Sequence, residues 1–361
     1  FPLGGWGTAP FTAMTRDQQS LGGLAVLGFF AVSGYLVTKS GLTNDGMQFI
    51  WRRFLRIFPG FWAVLLFGAL VVGPSVYLIE GRSLGDYFSL APGGPITYFT
   101  ANATLRIGQY GINDVFAGNP FGGPINGSIW TIAYEWLCYL IVMGLIFFGV
   151  LAKAKIIVPI MTGFLAAFQL MNIVMPGALA EMIPLLGDPF RVNFAFIFFI
   201  GACLALYADR VPYSVPLGVI AILFSLATLR VGGFNTMGFI AFAYAVLFIA
   251  AWLPARLQRV GQVNDYSYGV YLYGWVVQQI LAYAGVQLWG YVPYVVLSII
   301  GAFGLAWFSW HLVEKQAMKL KDIGPGRGIA YWRAARQRRR EAARQPEAEP
   351  DSADPASAER A

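Results

Sequence analysis

Charge is scarce in this chain. Asp, Glu, Lys and Arg make up 12% of its 361 residues, against 57% for hydrophobic types. A soluble domain of this length could not bury so much apolar surface, so the composition excludes an ordinary globular protein and points to a polytopic membrane protein. Cysteine is nearly absent: Cys138 and Cys203 both fall inside apolar runs. They supply neither a disulfide framework nor a metal-ligand spacing. Histidine occurs once, at His311. No metal and no bound cofactor are expected. No repeat of fixed period and no second folded domain are visible.

What the chain has instead is long apolar runs. A helix needs about 20 mostly apolar residues to cross a bilayer. Nine stretches qualify, roughly 19–38, 57–79, 128–151, 156–175, 191–208, 213–229, 234–253, 267–287 and 290–312. They are too long and too uniform for the strands of a barrel. The expectation is an all-α membrane protein, a polytopic helical bundle. Alternating the connections puts five Lys and Arg on one side and twenty on the other. The positive-inside rule makes the second side cytoplasmic, with the C-terminus there. The excess of basic residues is thereby explained without a nucleic-acid partner. The first residue is Phe1 rather than Met, so a further helix is expected upstream, which would bring the total to ten spans.

Two segments lie outside the runs. Residues 80–125 are rich in Gly, Pro and Asn and carry many aromatics, which suggests a packed loop over the outer face. Residues 1–323 read as the membrane domain and 324–361 as a cytoplasmic tail. The first part of the tail, "YWRAARQRRREAARQ", is basic and suits a surface anchored on anionic lipid. Its end, "PEAEPDSADPASAERA", has the composition of a disordered chain.

Polar groups in the runs are the candidates for chemistry. In "WRRFLRIFPGFW", Arg53 and Arg56 share a helical face. Pro59 suits a first helical turn, so the two arginines would flank a helix N-terminus. That makes either an anion site for a phosphorylated ligand or a topology anchor. Ser33 and Gly34 lie in the first run; glycine favours close helix packing, and the serine could reach a cavity. Glu135 stands in "GSIWTIAYEWLCYL", about 9 Å from the outer end of its span. A carboxyl group there costs several kcal/mol unless paired or facing water. It either faces a cavity or makes a buried interhelical hydrogen bond. Tyr139 shares its face, with Trp130 on a neighbouring aromatic strip. Tyr268, Tyr271, Trp275 and Gln278 lie along one face of a later span, as a polar pocket lining or an aromatic belt. His311, at the end of the last run, suits an interfacial role. Glu314 is expected to pair with it or with Lys315.

Taken in order, "FFAVSGYLVT", "FIWRRFLRIFPGFW", "NGSIWTIAYEWLCYL", "YSYGVYLYGWVVQQ" and "WHLVEKQ" resemble the acyltransferase-3 family of integral membrane acyltransferases. The resemblance implies transfer of an acyl group, usually acetyl, from cytosolic acyl-CoA as co-substrate. The acceptor would be a hydroxyl of an envelope or exported glycan or a lipid-linked sugar, and the setting the bacterial cytoplasmic (inner) membrane. It links Arg53 and Arg56 to the acyl donor. It makes Glu135 a supporting catalytic group and places Ser33, Trp130, Tyr139, Tyr268 and Tyr271 around the substrate. The family's catalytic histidine is expected upstream of residue 1, and Gly274 stands where many members carry histidine. A transporter or flippase of a sugar-lipid or anionic substrate is the alternative that also places a carboxylate in a span.

Overall fold

The computed structural model describes residues 4–7, 9, 11–89 and 91–342. The acidic end of the tail, 346–361, lies outside them. The described residues form helices and no strand. Seven helices are long and apolar enough to span a membrane. These are α1 (Leu21–Thr43), α2 (Gly46–Ile79), α3 (Trp130–Phe147), α4 (Ile157–Val174), α5 (Pro189–Leu206), α7 (Phe234–Trp252) and α9 (Tyr291–Met318). The other two expected positions hold helices of 17 residues each, α6 (Val215–Val231) and α8 (Ser267–Tyr283). A basic helix, α10 (Gly328–Ala342), follows.

The second span begins well before its expected start. Asp45 caps the backbone N–H groups of Met47 and Gln48, and the Gln48 side chain returns to the Asp45 N–H. This reciprocal capping box starts the helix at Gly46, so Pro59 lies inside it and not in its first turn. Arg53 and Arg56 therefore do not flank a helix N-terminus. They ride up the helix, Arg56 about 15 Å from its first residue.

Helix α5 is the hub. Of its apolar stretch 67% is buried, against 11% for the peripheral α4. Its tightest neighbour is α1, and the contact runs through glycine. A Cβ on Gly34 would come within 1.9 Å of the Phe198 carbonyl oxygen, and one on Gly201 within 2.1 Å of the Ala31 carbonyl oxygen. The two backbones touch at both points, as small residues allow in lipid. Gly34→Ala is expected to force them apart and to cost at least about 2 kcal/mol. The check is the thermal midpoint of the purified protein, with Gly144→Ala, which meets nothing within 4 Å, as the control.

The segment between α2 and α3 is packed, with Tyr87, Tyr98, Ile112, Val115 and Phe116 in the core. Tyr87 donates to the Ala69 carbonyl at 2.7 Å. Three amides lock the loop onto α8. Asn119 donates to the side chain of Gln279, Gln279 donates to the Phe121 and Pro124 carbonyls, and Asn126 donates to the Leu272 carbonyl.

Candidate active site

Between α1, α2, α3 and α8 lies a cavity of about 640 Å³. Ser33 comes from α1, Arg53 and Arg56 from α2, and Thr131, Glu135 and Tyr139 from α3. Tyr268 and Tyr271 come from α8, and Asp265 from the turn before it. Residues from sequence-distant spans thus meet in one largely apolar chamber with a few charged and hydroxyl groups.

Glu135 is 5% exposed. Tyr139, one turn on, donates to its carboxylate, and Ser33 Oγ lies 3.4 Å from the Tyr139 hydroxyl. The Arg53 guanidinium sits 5.6 Å from the centre of the Tyr139 ring and 5.8 Å from that of Phe49. Arg56 pairs with Asp265 and lies 5.8 Å over the Tyr268 ring. The carboxylate and the arginines therefore share a chamber, whereas the sequence put them at opposite ends of the membrane. The early start of α2 is the cause, because it lifts both arginines to the level of α3.

The α8 tyrosines are fixed by backbone carbonyls. Tyr268 donates to Ile57 at 2.8 Å. Tyr271 donates to the Ser128 carbonyl and accepts from Thr131. The expected face of α8 divides: Tyr268 and Tyr271 line the chamber, while Trp275 and Gln278 line a separate apolar groove against α9, which Tyr271 also touches.

Trp130 is not brought to the chamber. It packs edge-on to Phe190 at 4.9 Å between ring centres, in the seam between α3 and α5. His311 is not brought there either. Its Nδ1 lies 2.9 Å from the Trp307 carbonyl and its ring packs on Trp307 at 4.5 Å. Glu314 pairs with neither His311 nor Lys315. A π-turn over Trp310–Glu314 swings it inward, where it is 2% exposed and accepts from Ser309 at 2.8 Å.

Asp265 is the site residue that sequence reasoning missed. Its signal was local: an acid two residues before Ser267, at the foot of a span. The side chain accepts from the Ser267 N–H at 3.1 Å, as an Asx turn does, while its other oxygen holds Arg56.

Two arginines thus stand beside a sheltered carboxylate in one cavity. A family model described as an acyltransferase domain matches residues 1–311. An O-acetyl transferase of Shigella phage Sf6 is 29% identical over 307 residues, covering 82% of this chain and 85% of the relative. Nodulation protein 10 of Rhizobium leguminosarum bv. viciae is 27% identical over 322 residues, 81% of each chain. No solved structure matches. The chain belongs to the acyltransferase-3 family of integral membrane acyltransferases.

Proposed function

We propose that this membrane O-acyltransferase takes an acetyl or other short acyl group from cytosolic acyl-CoA. It passes the group to a hydroxyl of an envelope or exported glycan or a lipid-linked sugar. The observation that carries this reading is the single chamber holding Arg53, Arg56 and Glu135. The name of the phage relative supports O-acetyl transfer.

The arginines bind the phosphates of the donor, because a guanidinium matches phosphate oxygens in charge and geometry. The thioester arm then lies along the chamber, towards Glu135. The acceptor oxygen attacks the thioester carbonyl carbon, a C–O bond forms, and the C–S bond breaks. The hydroxyl proton goes to a general base other than His311, which lies outside the chamber, and the CoA thiolate leaves and is protonated. Glu135, steered by Tyr139, orients the base or the acceptor by hydrogen bonding. The apolar wall from α1, with Val32 and Leu36, keeps water from competing with the acceptor. The positive-inside charge bias supports a cytoplasmic C-terminus in the bacterial inner membrane.

Membranes containing the protein, given acetyl-labelled CoA, are expected to accumulate label in glycan or lipid-linked sugar. Labelled CoA consumed with no labelled acceptor would remove the acceptor class. No consumption, together with movement of a sugar-lipid across the bilayer, would replace the reading with that of a transporter.

A further inference from the structure

A polar pocket of about 460 Å³ opens at the far end of α8, within the range of about 300–1,000 Å³ that small-molecule sites enclose. It lies where the end of α2, the packed loop and the turn between α8 and α9 meet. Asp45, at the start of α2, accepts from the Ile329 N–H of the tail at 2.8 Å. Helix α2 then runs 34 residues, about 50 Å, so the pocket is at the face of the bundle opposite the tail. With the C-terminus cytoplasmic, as proposed above, this is the outer face.

The lining suits hydroxyl groups. Glu80 and Asp114 supply carboxylates, Asn119 and Gln287 supply amides, and Tyr283 supplies a half-buried ring. Arg82 bridges the two acids, 2.8 Å from Asp114 and 3.3 Å from Glu80. Its hydrogen bond holds the Asp114 carboxyl below its ordinary range, so Asp114 remains an acceptor. Two acids and one arginine leave one negative charge, which disfavours an anionic ligand. Tyr77 also donates to Asp114 at 3.0 Å, and Tyr283 to Glu80 at 3.3 Å. An ionised carboxylate has about four acceptor sites, so both acids keep capacity for hydroxyl donors. The Gln287 Oε1 atom is buried and has no partner among the described residues. A buried acceptor of this kind calls for a donor. The Tyr283 ring packs on Phe116 at 5.7 Å between centres and sets apolar carbon beside these polar atoms. Carboxylate, amide and ring together match a sugar, whose edge donates and accepts hydrogen bonds while its C–H face lies on an aromatic ring.

We propose that this pocket binds neutral sugar units of a polymeric acceptor, at a distance from the unit that reacts. The proposal rests on the reading of the acceptor as a glycan and names its class, an uncharged chain of several sugars. Tyr283 stands twelve residues after Tyr271 of the chamber, about 18 Å along α8. One monosaccharide cannot reach both places, and an extended oligosaccharide can. The bond from Asn119 to Gln279 fastens the loop to α8 between them and fixes the spacing. Holding a distant unit lowers KM without touching the reacting atoms.

The test uses the full chain in phosphatidylcholine nanodiscs. The probe is the neutral polysaccharide released by mild acid from the envelope of the producing bacterium, sized into oligomers, with its component monosaccharides for comparison. Calorimetry is expected to show the oligomers binding the wild type and binding Gln287→Leu about tenfold more weakly, the loss of one hydrogen bond. In acetyl transfer from acetyl-CoA, the same variant should lower the ratio of kcat/KM for oligomer to that for monosaccharide about tenfold, through KM. Tyr283→Ala, which removes the apolar wall, should do the same. A merely structural role for the turn would lower both acceptors alike, and that result would overturn the subsite. So would oligomer binding that neither variant changes, or tighter binding of the anionic polymer polygalacturonate. Binding abolished by EDTA and restored by calcium would assign the carboxylates to a cation and also overturn it. Oligomers that bind the wild type but accept no acetyl would sink the acyl-transfer reading and leave the subsite standing. Acetyl transfer to oligomers that ignores both variants would sink the subsite alone.

Discussion

Glu135→Gln is expected to lower kcat for acetyl transfer by about a hundredfold, with little change in protein yield. Glutamine keeps the length of the side chain and an oxygen to accept from Tyr139, so the chamber retains its shape. What it loses is the carboxylate charge and the ability to exchange a proton. A group present only for packing would tolerate that change. Removal of a buried carboxylate whose role was interhelical bonding would instead alter the thermal midpoint and leave kcat in place. The measurement is a steady-state rate with acetyl-CoA on matched amounts of folded protein. Full activity would take Glu135 out of the chemistry.

The double substitution Arg53→Ala, Arg56→Ala is expected to reduce kcat/KM for acetyl-CoA by at least about a hundredfold, mainly through KM. Each charge-assisted contact to a phosphate contributes about 1.5–3 kcal/mol. The single variants should differ in kind. Arg53 has no carboxylate partner among the described residues, so Arg53→Ala strands no acid, although it removes the contacts with the Tyr139 and Phe49 rings. Arg56→Ala also strands Asp265, whose second oxygen then loses its counter-charge, so folding yield should fall as well. Lysine at position 53 restores the charge but not the planar fork and should rescue only in part. Unchanged transfer in the double variant would refute the donor assignment.

Much of the bundle could be read from hydrophobic run length, because a lipid-exposed helix has no other way to satisfy its backbone. Each of the nine runs carries a helix. The levels at which side chains stand were less legible. Run length located the second span at 57, but the capping box at Asp45 and Gln48 starts the helix at Gly46. Hydropathy cannot register those eleven residues, since charged side chains interrupt the run while the backbone remains helical. The misplacement separated Glu135 from the arginines it faces. Trp130 was drawn into the site by its place in a motif, although its ring belongs to the seam with α5. α-Helical spacing pairs Glu314 with His311, three residues before it, or with its neighbour Lys315; the π-turn over Trp310–Glu314 turns it inward instead. Asp265 was hidden because its role depends on a residue more than two hundred positions away.

That π-turn has a consequence for how the last span can vary in length. A five-residue turn of this type holds one more residue than an α-turn would, which makes it equivalent to a fixed insertion. The surplus residue is taken up without the rotation of about 100° that an extra α-helical residue adds. Deleting one residue between Ser309 and Glu314 would therefore leave a plain α-helix with its downstream face nearly where it is. Drawing the same residues into α-helix would instead turn Glu314 away from Gly60, which it now abuts, and carry Lys321 away from the arginines. The stretch can lose one residue and keep its facing, but it cannot keep that residue and lose the turn.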